Sequence, residues 1–268
     1  MKKSKIAQNS LRCSLFPLPN IKFILHDYLL AIVFNYNWLP APKNLILSSD
    51  DVHIWRINLH QSESQLQALQ ATLSSDEITR AERFYFPEHR QRFIAGRGTL
   101  RSILGQYLGI DPKQVEFAYQ SRGKPLLAAK FADRGLLFNL SHSQNLALLG
   151  LSYQHEIGVD IEYIRTMSDL ESLAKRFFSP REYEHLRLVS PAEQQQIFFR
   201  YWTCKEAYLK ATGDGLVQLE EIEIGLTPNQ PSQLLVSGNW TLRELTAGEN
   251  FASAVVVANS HINLHCWE

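Results

Sequence analysis

Residues 157–162, with the sequence Ile-Gly-Val-Asp-Ile-Glu, alternate apolar and polar side chains and predict a β-strand near the middle of the chain. Residues two apart on a strand point to the same face, so the β-branched residues would face a core. Asp160 and Glu162 would then lie side by side on the opposite face. Two carboxylates held that close repel each other unless a cation lies between them, and such oxygen ligands suit Mg²⁺. A solvated acidic face is the alternative interpretation.

The elements predicted around this strand form two similar series. In the first series, Ser62 and Ser74 begin capping boxes and Gly109 ends a long helix. We predict strands at 52–59, 115–119, 136–140 and 146–152, and helices at 63–72, 75–85 and 88–108. After residue 155 we predict strands at 157–164, 220–226, 251–258 and 261–267, and helices at 168–177, 180–189 and 192–212. The order predicts an α+β protein with two similar halves, at residues 41–154 and 155–268.

Residues 1–40 are harder to interpret. Three lysines precede an apolar run at residues 23–34, which lacks a signal-peptide cleavage site and is too short to span a bilayer. One interpretation is an extension of doubtful order from an upstream start codon. The other is an ordinary ordered N-terminal segment.

Composition limits the class of protein. Of 268 residues, 45% are hydrophobic and 20% charged, which excludes a largely disordered chain. The 27 basic and 27 acidic side chains give zero net charge, so a nucleic-acid partner is not expected. We expect no membrane partner either. Three widely spaced cysteines indicate a reducing compartment and predict a cytoplasmic protein.

A second motif lies on the last predicted helix, at residues 202–211 (WTCKEAYLKA). Trp202, Glu206 and Lys210 are spaced i, i+4, i+8 and share one face of the helix. They could be a core tryptophan beside a surface ion pair. Alternatively, Glu206 completes a metal site with the acidic strand, and Lys210 neutralises a phosphate.

Two further signals could bind anions. Residues 138–143 (FNLSHS) carry a strand into small polar residues and a histidine, which could bind an oxyanion or form an ordinary hairpin turn. No G-x-S-x-G is present, so a Ser/His hydrolase is disfavoured. Arginines on the second and third helices, together with Lys124, could bind phosphate or form solvated helix faces.

Together these motifs resemble the 4′-phosphopantetheinyl transferase superfamily, in its long, surfactin-synthetase-activating (Sfp-type) branch. The resemblance covers about residues 51–257. It is carried by residues 123–125 (GKP), 138–143 (FNLSHS), 158–162 (GVDIE), 176–179 (RFFS) and 202–210 (WTCKEAYLK).

The resemblance implies two α+β halves related by a pseudo-twofold axis, with the active site in the cleft between them. It implies transfer of phosphopantetheine from coenzyme A to a serine of an apo acyl or peptidyl carrier protein, releasing adenosine 3′,5′-bisphosphate. The implied Mg²⁺ ligands are Asp160, Glu162 and Glu206. Glu206, directly or through a water on the metal, is the candidate base, and Lys205 and Lys210 are the cationic partners.

The implied coenzyme A contacts are Arg80, Arg83, Arg92, Lys124, Ser141 and His142. Arginine stands at Arg80 where the family frequently has lysine, which changes the contact geometry. The short branch builds its cleft between identical subunits, whereas this chain carries both halves, so we expect an active monomer. Which carrier protein is served stays open.

Two alternatives to the transferase are an inactive relative that only binds coenzyme A or carrier proteins, and a Mg²⁺-dependent nucleotide hydrolase. The sequence contains no GxxxxGK[ST] phosphate-binding signature, which argues against the hydrolase. A basic patch for an acidic carrier protein is a further hypothesis, against the alternative of solvated, paired helix charges. Its members would be Arg165, Lys175, Arg176, Arg181 and Arg187.

Overall fold

The computed structural model describes residues 36–227 and 230–268. In the first half the elements are β1 (Asp51–Asn58), α1 (Glu63–Gln70), α2 (Ser75–Glu82), α3 (Pro87–Leu108), β2 (Phe117–Tyr119), β3 (Pro125–Leu127), β4 (Leu136–Ser143) and β5 (Leu146–Tyr153). They continue as β6 (Ile157–Tyr163), α4 (Leu170–Phe177), α5 (Pro180–Leu188), α6 (Pro191–Thr212), β7 (Ile224–Gly225), β8 (Gln233–Leu234), β9 (Thr241–Glu244), β10 (Phe251–Val257) and β11 (Asn263–Trp267). Short 3₁₀ helices occupy 112–114, 129–134 and 216–221.

The two halves repeat one local design. Each has a strand, two short helices and a 22-residue helix that begins with proline, α3 in the first half and α6 in the second. Gly109 and Gly213 end these helices in the left-handed conformation, with φ of 68° and 83°. The capping boxes predicted at Ser62 and Ser74 are confirmed. The chain is therefore the α+β protein of two similar halves that the sequence predicts.

Two sheets form the centre of the molecule. The larger has the strand order β11-β1-β5-β4, and the smaller has the order β6-β10-β9. Val52 and Ile54 of β1 share one buried cluster with Val159 and Ile161 of β6, so the two sheets pack against each other. Other clusters pair the first sheet with α3 and the second sheet with α6. The order of layers is thus α3, first sheet, second sheet, α6.

The layers determine where the acidic strand points. Ile157, Val159 and Ile161 are fully buried between the sheets, as the alternation predicted. The intervening residues, Gly158 and Asp160, therefore face α6. Strand β6 thus presents its carboxylates to the helix that carries Glu206 and Lys210.

The domain boundaries need a correction. We expected residues 155–268 to form the second half, but β11 pairs in parallel with β1 and belongs to the first sheet. The end of the expected 1–40 extension is also part of this sheet, since Leu39 hydrogen-bonds Cys266 and Glu268 through its backbone. The Trp38 indole donates to the Thr246 carbonyl at 2.6 Å. The apolar run at 23–34 lies outside the described residues.

Several predicted elements differ in extent. The strand expected at 220–226 begins in the last two residues of a 3₁₀ helix and contains only the two-residue β7, and the strand β9 was missed. In the part of the chain that is described, no helix has the length and hydropathy needed to cross a membrane. The cysteines within it, Cys204 and Cys266, are buried and free.

Candidate active site between the two halves

Strand β6 and helix α6 approach each other closely at Gly158. A Cβ atom at this position would lie 2.0 Å from the Ala207 carbonyl oxygen and 2.4 Å from the Ala211 nitrogen. Only glycine permits backbone contact this close. The contact places Glu206 and Lys210, one residue before each of those backbone neighbours, beside the acidic end of the strand.

The resulting cleft has a volume of about 270 Å³. It is lined by Leu140, Ser141, His142, Asp160, Glu162, Glu206 and Lys210. Side chains from three of the predicted motifs therefore meet in one place, although the motifs are separated by up to 70 residues of sequence. Two larger surface cavities, of about 520 and 580 Å³, lie against α3 and include no residue of these motifs.

Asp160 is at the centre of the cleft. Its Oδ1 accepts hydrogen bonds from Ser141 Oγ at 2.8 Å and from Lys210 Nζ at 2.6 Å. Lys210 Nζ also donates to Ser141 Oγ at 2.9 Å. The other oxygen, Oδ2, is buried and has no hydrogen-bond partner among the described residues. A buried carboxylate oxygen without a partner is costly unless a cation or a donor reaches it.

The pKa values of the other two carboxylates, Glu162 and Glu206, indicate an excess of negative charge in the cleft. Burial, followed by the charge of Asp160, raises the pKa of Glu206 to about 7, and the charge of Glu162 adds to the shift. Burial and Asp160 also raise the pKa of Glu162. Lys210 opposes both shifts without cancelling them. The cleft thus favours binding of a further cation.

The donor set fits Mg²⁺, which takes oxygen ligands. The fit is incomplete in one respect. The three carboxylates do not gather their ligand oxygens within 4.8 Å of one another; among the described residues, one other cluster does so. The present contact of Lys210 with Asp160 satisfies part of the negative charge. Binding of one cation by all three carboxylates would therefore require their oxygens to come closer together.

Strand β4 holds the carboxylates from the other half. Asn139 Oδ1 accepts the backbone N–H of Val159 at 2.9 Å. Ser143 Oγ donates to Glu162 Oε2 at 3.0 Å and accepts the backbone N–H of Tyr163 at 3.0 Å. The sequence pattern at 138–143 indicated an anion site or a hairpin turn for Asn139 and Ser143, and not support for the carboxylates. The signal was present, since positions 139, 141 and 143 share one face of a strand.

Comparisons with known proteins agree with this arrangement. A family profile described as "4′-phosphopantetheinyl transferase, N-terminal" matches residues 58–153, and one described as "4′-phosphopantetheinyl transferase superfamily" matches residues 156–258. The 4′-phosphopantetheinyl transferase HetI of Nostoc sp. is 65% identical over 226 residues, covering 84% of this chain and 95% of that protein.

The chain belongs to the 4′-phosphopantetheinyl transferase superfamily.

Two more distant members are also similar. The 4′-phosphopantetheinyl transferase AcpT of Escherichia coli is 34% identical over 57% of this chain and 74% of that protein. The 4′-phosphopantetheinyl transferase Sfp of Bacillus subtilis is 32% identical over 58% of this chain and 66% of that protein. The paired profiles and the similarity to Sfp confirm the Sfp-type branch of the superfamily.

The structure does not bring Lys205, a residue we expected in catalysis, into the cleft. Its side chain is fully buried and its Nζ lies 2.5 Å from Glu182 Oε2. The same Nζ donates to the carbonyls of Leu219 at 2.9 Å and Phe177 at 3.2 Å. The physical reason is helical geometry, since residue 205 points about 100° away from residue 206. Lys205 therefore stabilises the core of the second half.

Only some of the expected coenzyme A contacts lie at the cleft. Ser141 and His142 line the cleft. Desolvation, then the charges of Lys210 and Arg92, lower the pKa of His142, which favours the neutral imidazole. Lys124 Nζ donates to the carbonyl of Ala211, at the end of α6, at 3.2 Å.

The remaining expected contacts lie outside this lining. Arg80 stacks on the Phe93 ring at 5.2 Å, and Arg83 is exposed. Arg92 is half-buried and lies close enough to influence His142.

The expected docking patch is partly neutralised. Arg165, Arg181 and Arg187 have carboxylates within 4.0, 3.1 and 3.3 Å. Lys175 and Arg176 are exposed at the end of α4. The arrangement has features of both alternatives, and the docking role stays a prediction.

Proposed function

We propose that this chain transfers the 4′-phosphopantetheine group of coenzyme A to a serine hydroxyl of an apo acyl or peptidyl carrier protein, forming holo carrier protein and adenosine 3′,5′-bisphosphate. The observation that carries the proposal is the cleft in which Asp160, Glu162, Glu206 and Lys210 meet Ser141. Membership in the superfamily supplies the reaction class.

The three carboxylates are the proposed ligands of Mg²⁺, with the unpartnered Oδ2 of Asp160 as the supporting observation. When bound, Mg²⁺ would supply positive charge to the pyrophosphate of coenzyme A. Ser141 and Lys210 hold one Asp160 oxygen, which leaves the other oriented by the buried strand. Ser143 restrains Glu162 in the same way.

The residues of the chain divide the remaining work. The carrier serine oxygen attacks the β-phosphorus, and the bond from that phosphorus to the bridging oxygen breaks. Glu206 takes the serine proton, directly or through a water, and its position in the lining of the cleft suits this role. The bridging oxygen leaves with its electron pair on adenosine 3′,5′-bisphosphate. Lys210 lies in the cleft and can stabilise the negative charge of this leaving group.

The nucleotide end of coenzyme A is the proposed ligand of the basic residues near the cleft. Ser141 and His142 would contact it from β4, and Lys124 from the turn before β3. Three arginines of the first half would reach the phosphates of coenzyme A. Arg80 lies on α2, Arg83 follows the C-terminus of α2, and Arg92 lies on α3. Lys205 is not included, because its charge is already used in the core.

A single chain contains every proposed group. Ser141 of the first half contacts Asp160 of the second half at 2.8 Å within one polypeptide. This supports the proposal that the monomer is active. Cytoplasmic location, expected from the cysteines, stays a prediction.

Incubation of the protein with coenzyme A, Mg²⁺ and an apo carrier protein tests the function by mass spectrometry. We expect the carrier to gain the mass of one phosphopantetheine. Asp160→Asn should lose this activity. Asp133→Asn, at an exposed position on the 3₁₀ helix at 129–134, should retain it. Release of adenosine bisphosphate without carrier would indicate a hydrolase, and coenzyme A binding without either product would indicate a binding module.

A further inference from the structure

A second cluster of metal-ligating side chains lies away from the cleft, where β1 meets β11. Asp51 and His53 are on β1, and His265 is on β11 directly opposite His53 in the parallel register. One ligand atom from each of the three side chains lies within 4.8 Å of the others. His265 Nε2 lies 3.6 Å from an Asp51 oxygen.

The types of donor and their spacing suit a transition-metal ion. Two imidazoles and one carboxylate are a common ligand set for Zn²⁺, which binds them at about 2.0–2.2 Å in a tetrahedral arrangement. Two ligands at that distance and angle stand roughly 3.3 Å apart. The observed spacing of 3.6 Å between His265 and Asp51 is close to this value, so this pair needs only a small contraction to share an ion.

Aromatic neighbours hold the two imidazoles in place. The His53 Nδ1 atom hydrogen-bonds the Tyr107 hydroxyl at 2.6 Å, and the Trp55 indole donates to the same hydroxyl at 3.1 Å. The His265 ring stacks on Trp267 with an interplanar angle of 9°. A ligating histidine usually makes a hydrogen bond through its other ring nitrogen. Tyr107 fills that role for His53 and leaves Nε2 available as the ligand atom.

We propose that Asp51, His53 and His265 bind Zn²⁺, or a divalent ion of similar ligand preference, and fasten the C-terminal strand β11 to β1. The site differs from the cleft in position and in chemistry, because the cleft offers three carboxylates on β6 and α6. The His265 side chain is 42% exposed, so the ion enters from solvent and water completes its coordination. The alternative is a simple pair between His265 and Asp51 without a metal.

Titration of the full chain with Co²⁺, followed by visible absorption, tests the site, since tetrahedral Co²⁺ with nitrogen ligands absorbs far more strongly than octahedral Co²⁺ with oxygen ligands. We expect an intense band in the wild type that Zn²⁺ removes by competition. His265→Ala should lose the band and weaken Zn²⁺ binding by at least tenfold. His261→Ala, at an exposed histidine outside the cluster, is the matched control and should retain both.

The thermal midpoint provides a second measurement that does not depend on the buried His53. Zn²⁺ should raise the midpoint of the wild type and of His261→Ala, but not that of His265→Ala or Asp51→Asn. Phosphopantetheinyl transfer should persist in His265→Ala, which separates this site from the proposed function. Absence of the cobalt band and of any Zn²⁺-induced shift in the wild type would overturn the proposal. Loss of both in Asp160→Asn but not in His265→Ala would place the ion in the cleft instead.

Discussion

Replacing Glu206 with glutamine should stabilise the metal-free protein while abolishing transfer. The burial of Glu206 and the charges of Asp160 and Glu162 raise its pKa from 4.5 to about 7. A pKa raised by this amount corresponds to about 3 kcal/mol of folding free energy once the group is ionised. Glutamine has the same shape and no charge, so it removes this cost.

The pH dependence gives the prediction its sign. In the wild type the cost is absent below about pH 4.5, grows as the pH rises toward 7, and is complete above it. The gain from Glu206→Gln should therefore be near zero at pH 4.5 and about 3 kcal/mol at pH 8. Urea denaturation in the presence of EDTA, at several pH values, measures this difference.

A control is needed for the substitution itself. Glu249→Gln changes an exposed glutamate on the same half and should show no gain that grows with pH. Saturating Mg²⁺ should stabilise the wild type more than Glu206→Gln, since the variant has one charged ligand fewer. An equal change in stability at pH 4.5 and pH 8, or a loss at both, would refute the account of repulsion in the cleft.

Three further predictions concern the frame of the site. Gly158→Ala should cost about 3 kcal/mol and most of the activity, because its Cβ would lie 2.0 Å from a backbone oxygen of α6; Gly96→Ala, whose nearest neighbour would be a side-chain atom at 3.4 Å, should be tolerated, and equal urea midpoints for the two would contradict the argument. Lys205→Met should lower the free energy of unfolding by about 3 kcal/mol, since Glu182 loses its buried partner, while kcat of the folded protein is retained. A large loss of kcat at unchanged stability would return Lys205 to catalysis. Trp38→Ala should cost about 1–2 kcal/mol through a lost hydrogen bond and a lost cation–π contact, and an unchanged thermal midpoint would show that the Trp38 contacts do not stabilise the fold.

Local signals predicted much of the fold. The alternation at residues 157–162 gave the correct faces of β6, because a buried strand between two layers needs apolar residues on one side along its whole length. Capping residues located the starts of α1 and α2, since they satisfy backbone donors within one turn. Such signals depend only on neighbours in sequence.

Long-range pairing was not predictable in the same way. The partner of β11 is β1, more than 200 residues earlier, and nothing in either strand specifies the other. The domain boundary drawn from the order of elements therefore assigned β11 to the wrong half. The strand β9 was missed for a related reason, since it is four residues long and takes its structure from pairing with β10.

In the candidate site, too, local sequence signals were informative and three-dimensional placement was not predictable from them. The spacing of Glu206 and Lys210 on one helical face was compatible with either a surface ion pair or a site shared with the acidic strand, and both residues line the cleft beside that strand. The same periodicity turns Lys205 toward the core, which the motif alone did not reveal. The coenzyme A contacts on α2 and α3 were implied by the family resemblance, and neither the resemblance nor the charge determines which way a side chain on a helix surface extends.

The cleft depends on both halves for a physical reason. Asp160, Glu162 and Glu206 all come from the second half, and their mutual repulsion opposes its folding. The hydroxyls that hold two of these carboxylates, Ser141 and Ser143, come from β4 of the first half. Neither half alone would therefore hold the carboxylates in this arrangement. The packing of one sheet against the other provides the free energy that offsets the repulsion, and the site follows from the contact between the halves.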